Sequence, residues 1–575
     1  MSAIICNPLN LEYRYQLKKA FGREAVFREA ADPTMLVFKN RYYLFASMSG
    51  GFWHSDDLAS WEFHETPEVP IYDYAPDVRE VNGKVIFSAS KRGEPCSLFE
   101  SEDPLSVPFK AVSTPFEFWD PDVFQDDDGR VYLYWGCTNT DPLYGVELDR
   151  ETLMPLGEKV VLFGEAEAEH GWERSGENNK LSVPKTKMEK LIRQHLGTKP
   201  FIEGAFMTKH GGRYYMQYAS PGTEHNVYSD GVYTSESPLG PFTYQAHNPF
   251  SSKPGGFITG AGHGSTFKDK HGDWWHISTM RISVNENFER RLGLFPCYFD
   301  DDGILYCDQN FADYPFFVSR EKAGSPIMSL LSYGKTATAS SHRPGAAPEN
   351  AVDENIRTCW SAATAGADEW LQIDLGQVYE PQVIQVNFSD FKRPMPEGLG
   401  EAKVTGYETR LILVKPQRTR YLLEGSTDGL DWAIIKDSRD AETDYTHDLI
   451  VLDGQTPTRF IRISHMETAL DGIPAISGLR VFGTGLKSRP DAVKEVEASR
   501  SQDRLNILLR WPAVSGADGY NVRYGLAPDK LYSSWQLFRQ HELDLGMINK
   551  RSSYYLAVDS FNESGVTAGE IVFVQ

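Results

Sequence analysis

Three carboxylates in this chain sit where a carboxylate has no ordinary use: Asp32 in REAADPTMLVF, Asp120 in FWDPDVFQDDDG and Glu203 in PFIEGAFMTKHGG. Each is embedded in an apolar run, and burying a charge there is unfavourable unless the charge is paired or used. Each also stands about eight residues upstream of a turn that opens a recurring phrase, which sets the three in register in three separate units. A single Asp-Pro reads as the start of a turn; three carboxylates in register do not. Such a set suits general acid–base hydrolysis. Cleaving a glycosidic bond needs one protonated carboxylic acid and one ionised carboxylate held across a sugar ring. A third carboxylate near the acid keeps it protonated closer to neutral pH. Asp122 rivals Asp120, because two residues further along a strand points to the same face. Asp77, in YAPDV, is a weaker candidate.

The elements that must hold these groups are strands. NRYYLFAS (40–47), NGKVIFSAS (82–90), DGRVYLYWG (128–136), GGRYYMQYAS (211–220) and HGDWWHIS (271–278) repeat one pattern, a turn residue or two followed by aromatic-rich alternation. Period-2 runs behind Gly, Asn or Asp are hairpins with a half-buried second strand. A second phrase follows three of them, at 53–63, 98–109 and 233–242. Two linked phrases per unit make a sheet of roughly four strands that cannot bury its own faces, so the units stack radially as a propeller. The phrases start 42, 46, 83 and 60 residues apart, which fits five units with two insertions better than six. The larger insertion, about 164–199, carries HGWERSGENNK and a weak amphipathic helix at 183–196; it is a surface excursion or a wall of the binding face.

Composition agrees. The chain's 575 residues hold several domains, and 13% aromatic residues with 48 Gly and 33 Pro suit turn-rich β structure. With 80 acidic against 58 basic residues, and the acidic ones scattered, neither nucleic acid nor an anionic membrane is expected as partner; a neutral or cationic ligand is. No run approaches a membrane span. The opening MSAIICNPLNLEYRYQLKKA has no apolar core behind a basic start, so a cytoplasmic protein is expected, or a secreted one whose leader has been removed. Six widely spaced cysteines without a CxxC read as reduced, packed thiols.

Beyond residue 315 the phrases stop. The run SYGKTATASSHRPGAAPENAVDENIRTCWSAATAGADEWLQIDLG, with LLEGSTDGLDW (422–432), RFIRIS (459–464) and ISGLRVFG (476–483), resembles a discoidin, or coagulation factor 5/8 type C, domain. The resemblance implies an eight-stranded jelly roll that serves either as a carbohydrate-binding module or as a packing domain. Ser477 stands near the place where the resemblance puts a calcium-binding Glu. From 488 onward, Val496, Ala498, 508–511, 519–524 and YYLAVDSFNESG resemble a fibronectin type III domain, which implies a spacer.

Residues 25–315 resemble glycoside hydrolase family 43, on ADP, YAPDV, WDPDVFQDDDGRVYLYWG, IEGAF and GAGHGSTFKDKHGDWWHIS in that order. The resemblance implies a five-bladed propeller and an inverting, exo-acting hydrolase of terminal α-L-arabinofuranosyl (or related furanosyl) or β-D-xylosyl residues on plant-type or microbial glycans. In these terms Asp32 looks like the general base, Glu203 the general acid and Asp120 the carboxylate that orients the acid and raises its pKa. Tyr74, where many relatives have Trp, and Trp119 are expected to meet the sugar. Arg290 or Arg291, with Arg290 favoured, matches an arginine that reaches the pocket. Trp172, Glu177 and Asn178 could close one side of it. His263, in GAGHGS, is expected at the propeller axis, facing a structural calcium ion or acting only as a hydrogen-bonding group, since one imidazole is a poor calcium ligand. No cofactor is required.

The expected organisation is all-β: a propeller over 1–320, a connector over 321–333, a jelly roll over 334–486 and a sandwich over 487–575. Other readings are a non-catalytic carbohydrate-binding scaffold and a family member acting on β-galactan or galactofuranosides. Fructan hydrolysis by a retaining mechanism ranks low, because Ala31 and Trp119 precede the aspartates where those relatives carry other residues.

Overall fold

The computed structural model describes residues 3–20, 23–70, 74–91, 93–318, 326–396, 403–405, 408–413, 415–452 and 456–575. The first five residues of the expected connector lie outside the described residues. Five antiparallel four-stranded sheets follow one another along the first part of the chain. Their innermost strands are Ala31–Phe38, Tyr74–Val81, Asp122–Gln125, Glu203–His210 and Thr259–Lys268. Each innermost strand neighbours the next and the fifth returns to the first, so the sheets close into a ring of five blades. Three hairpins turn on two consecutive residues of positive φ, Lys39–Asn40, Asn82–Gly83 and Gly211–Gly212. That backbone twist matches the strands it joins, which is why Asn and Gly recur there.

One irregularity repeats in all five inner strands. Asp32, Ala75, Asp120, Gly204 and His263 have φ of 50, 45, 49, 63 and 46°. The residue before each pairs with the end of the neighbouring strand: Ala31 with Ser47, Tyr74 with Ser90, Glu203 with Ala219, Gly262 with Thr279, and Trp119 through a 2.8 Å bond from the Gly136 N–H. Pairing resumes two residues on, at Thr34, Asp77, Asp122, Phe206 and Ser265. This is a β-bulge, which kinks a strand and re-aims one side chain. Four of the five positions carry a side chain that disfavours such φ values, a strain that clusters at functional sites.

Two tiers of hydrogen bonds tie the blades together. At the bulge, the backbone N–H of Asp32, Ala75 and Asp120 donates to the hydroxyls of Thr279, Ser47 and Ser90 on the preceding blade, at 2.7, 2.7 and 3.2 Å. Two residues deeper, Thr34 donates to the Pro76 carbonyl, Asp77 accepts from the Val123 N–H, Asp122 from the Met207 N–H and Ser265 from the Met35 N–H.

The second domain is two facing five-stranded sheets around Trp360, Ile373, Ile384, Leu423, Ile461 and Leu479. Ser477 is buried in its last long strand and donates to the Asn387 carbonyl at 3.3 Å. A hairpin of this domain, Lys403–Thr405 with Glu408–Leu413, pairs with the N-terminal hairpin Arg14–Ala20 and Arg23–Glu29 in one sheet. Beside that sheet Asp390 accepts from Arg28 and Arg393 and pairs with Arg291.

The C-terminal domain is a sandwich of a three-stranded and a five-stranded sheet. It does not stand off as a spacer: Trp511, Val522 and Leu545 share a core with Met207, Met216 and Tyr218 of the fourth blade. The insertion makes this joint. Gly171 donates to the Ile548 carbonyl, Arg174 to the Leu505 carbonyl, and Trp172 lies in the shared core. The expected helix within the insertion spans Lys187–Leu196.

Candidate active site

The five bulges stand at one end of the ring, and their side chains surround its mouth. Asp32, Asp120 and His263 occupy the bulge position itself. Glu203 stands one residue earlier, in the place that Tyr74 and Trp119 hold in their own blades. The three carboxylates are therefore not in one register, contrary to the expectation from sequence. The count of eight ran to the second turn residue, Asn40, in the first unit but to the first, Gly211, in the fourth. The bulge position beside Glu203 is Gly204, where a Cβ would lie 2.7 Å from Cδ2 of His263, so glycine lets the histidine ring seat against the fourth blade.

Asp32 is held by side chains. Ser47 donates to its Oδ2 at 2.8 Å, Arg290 to its Oδ1 at 3.2 Å, and Nδ1 of His263 lies 3.4 Å away. Burial pushes its pKa up, but Arg290, then His263, Ser47 and Thr279 outweigh it, and the carboxyl is held below its usual value. Asp32 is an ionised carboxylate. Burial drives Asp120 up to about 8; His263 opposes this, and the charges of Glu203 and Asp32 reinforce it. Glu203 is likewise raised, chiefly by burial against His263, Tyr228 and Cys137. Its Oε1 accepts from the Tyr228 hydroxyl at 2.5 Å and its Oε2 from the Cys137 thiol at 3.0 Å. His263 is raised despite its burial because Asp32, Asp120, Glu203 and Asp230 surround it. The mouth thus opposes one ionised carboxylate to a pair in which protonation is favoured, with an imidazole between them whose protonated form the surrounding carboxylates favour.

The remaining expected residues divide. Tyr74 and Trp119 are neighbours, ring centroids 5.6 Å apart and planes 32° from parallel, beside Asp120. Arg290 bridges Asp32 and Glu29, whereas Arg291, on the opposite face of the strand, is buried against Asp390 and accepts no place in the mouth. It is an interdomain residue, not a substrate ligand and not a surface residue. Its Nε donates to His447, kept neutral by burial and by Arg291 and Arg28. Trp172 does not close the pocket as expected: it is fully buried, donates to the Tyr244 hydroxyl at 2.8 Å and packs on Tyr218. Asn178 is exposed and exchanges hydrogen bonds with Asn226. Glu177 pairs with Arg281, two residues beyond Thr279. Asp122 is no rival to Asp120, since Arg79 and the Met207 N–H take up both its oxygens. Asp77 accepts from Val123 in the same tier.

Sequence reasoning missed Ser47, Thr279, Tyr228 and Cys137. Ser47 had a signal, because four phrases end on a serine, Ser47, Ser90, Ser220 and Ser278, an otherwise unexplained row of hydroxyls; Thr279 lies one residue past the last of them. Tyr228 and Cys137 lie outside the repeat and had none.

Among the described residues, the donors at the mouth do not by themselves make a set of direct calcium ligands. Asp120, Cys137 and Glu203 offer atoms within 4.8 Å of one another, but one is a thiol. Calcium takes six to eight oxygens, and the oxygens nearest Nδ1 of His263 are those of Asp32 and Asp120.

Residues 25–305 match the family described as Glycosyl hydrolases family 43, and residues 336–393 match the F5/8 type C domain. A protein named xylosidase/arabinosidase from Bacteroides ovatus is 28% identical over 135 residues, 22% of this chain and 39% of its own length. A β-D-galactofuranosidase of Aspergillus niger is 24% identical over 321 residues, 48% of this chain and 81% of its own. An arabinoxylan arabinofuranohydrolase of Bacillus subtilis is 25% identical over 292 residues, 40% of this chain and 51% of its own. The chain thus spans well under half of the first of these and about half of the third. The strands, bulges and carboxylates described above lie within the stretch similar to glycosyl hydrolase family 43, and the stretch similar to an F5/8 type C domain follows it.

Proposed function

We propose that the mouth of the ring hydrolyses a glycosidic bond by a single displacement at a terminal sugar. The observation that carries this reading is the division of charge: Arg290 keeps Asp32 ionised while burial favours the protonated form of Glu203 and Asp120. Asp32 takes a proton from water as the water oxygen bonds to the anomeric carbon. Glu203 gives its proton to the leaving oxygen as the old bond breaks, and the released sugar carries the inverted configuration. Asp120 shares a proton with Glu203 and orients it. The rings of Tyr74 and Trp119 offer a platform for the sugar.

The substrates we infer are terminal α-L-arabinofuranosyl, related furanosyl or β-D-xylosyl residues. The printed names of the three relatives, which span these sugars, support the class without choosing within it. The test is release of p-nitrophenol from the α-L-arabinofuranoside, β-D-galactofuranoside, β-D-xyloside and β-D-galactopyranoside by the full chain and by Glu203→Gln. Release from a furanoside or the xyloside, reduced in the variant by roughly a hundredfold or more, is expected. Equal release by the variant, or release from none of the four, contradicts the reading.

A further inference from the structure

Cys137 brings a thiol to the two carboxylates Asp120 and Glu203. It follows the strand Val131–Trp135, and its backbone is pinned on both sides. Gly136 donates to the carbonyl of Trp119, the residue before Asp120, at 2.8 Å. Thr138 exchanges backbone hydrogen bonds of 3.0 and 3.3 Å with Ile202, the residue before Glu203. These clamps seat Cys137 between the segments that carry Asp120 and Glu203. Its sulfur, an oxygen of Asp120 and an oxygen of Glu203 lie within 4.8 Å of one another, and the thiol donates to Oε2 of Glu203 at 3.0 Å. Tyr228 donates to the other oxygen.

We propose, building on the hydrolase reading above, that Cys137 is a positioning residue for the acid: with the Tyr228 hydroxyl, its thiol orients the Glu203 carboxyl and stabilises the carboxylate left when the proton passes to the leaving oxygen. The thiol keeps its own hydrogen throughout. Each carboxyl oxygen has two lone pairs, so Oε2 can accept from sulfur on one side and present its proton on the other. Burial, then the charges of Asp120 and Glu203, push the thiol well above its usual pKa, so it stays a donor and not a nucleophile.

The test compares Cys137→Ala and Cys137→Ser with the unaltered chain. Removing one donor to the carboxylate weakens the acid. In Cys137→Ala, kcat should fall roughly fivefold for a glycoside with a sugar leaving group, and the alkaline limb of kcat/KM should move up. For a dinitrophenyl glycoside, whose leaving group needs no proton, kcat should hold. Cys137→Ser, which keeps a donor, should restore the pH profile. An Ala variant with an unmoved alkaline limb, or an equal loss on both leaving groups, overturns the proposal. An infrared measurement separates its failure from that of the hydrolase reading. The S–H stretching band of Cys137, isolated as the difference between the unaltered chain and Cys137→Ser, should shift when Glu203→Gln replaces the carboxyl acceptor by an amide, whether or not any glycoside is turned over. An unmoved band contradicts the contact itself.

Discussion

The mouth of the ring and its waist each hold two buried aspartates, and the pairs behave differently. Asp32 and Asp120 at the mouth, and Asp77 and Asp122 two residues deeper, are all at most 5% exposed. Burial raises Asp77 to about 8, as it does Asp120, so neither burial nor a raised pKa separates the pairs. Their partners do. At the waist each carboxylate accepts a backbone amide of the next blade: Asp77 takes the Val123 N–H, and Asp122 takes one at Met207 while Arg79 holds its other oxygen. At the mouth Asp32 is held by Ser47, Thr279 and Arg290, all side chains, and Asp120 faces Cys137, Glu203 and His263. A carboxylate that staples blades together gives one oxygen to an amide of the next blade; the two at the mouth face side chains, which can rearrange.

The largest effect that would break this contrast comes from exchanging roles. Asp32→Asn should lower kcat by roughly a hundredfold to ten-thousandfold with the fold intact, checked by steady-state kinetics beside circular dichroism. Asp122→Asn should instead take from Arg79 its closest carboxylate and leave it only Asp77, 3.5 Å away, the loss of a charge-assisted hydrogen bond worth about 2 kcal/mol. Its thermal midpoint should drop clearly, while activity per folded molecule changes little. A stable but inactive Asp122→Asn would erase the distinction between mouth and waist.

A smaller effect lies in the pH dependence of stability. The folded chain binds a proton at Asp120 up to about 8, where the unfolded chain releases it near 3.8. Between those values the folded state holds more protons, so stability is fullest below the unfolded pKa and falls as pH rises through the folded one. Asp120→Asn removes that slope. The variant should melt higher than the unaltered chain at about pH 8, and the two should converge in acid; scanning calorimetry across that range would sharpen the account, and a variant that melts lower at every pH would contradict it.

The smallest contrast is between neighbours. Arg290→Met should raise the pKa of Asp32 and move the acid limb of kcat/KM upward. Arg291→Met, on the other face of the strand, should lower the melting temperature through the lost Asp390 and His447 contacts and leave that limb in place. A shift of the limb in both variants would mean that the interdomain network reaches the base.

Much of this was legible in the chain. Alternation and Asn-Gly turns are local, so the five blades could be counted from their spacing; Asp32, Asp120 and Glu203 are legible as carboxylates in apolar runs, and His263 through the family resemblance of GAGHGS. What stayed hidden depends on distant pairing. Nothing around Trp172 states that it meets Tyr244 and a domain more than 300 residues later. Nothing in residues 403–413 states that they extend a hairpin near the N-terminus. The bulge was equally silent, because a one-residue register shift in a strand leaves the alternation on either side looking regular. That silence put Glu203 one position out while leaving its identity right.

The most direct test of the central claim, that Asp32 and Glu203 act on opposite sides of one sugar with water as the nucleophile, is proton NMR of the first sugar released from a turned-over glycoside. The account predicts that the anomer opposite to the substrate's appears first and then mutarotates; first appearance of the retained anomer would contradict it, because Asp32 would then have attacked the sugar itself.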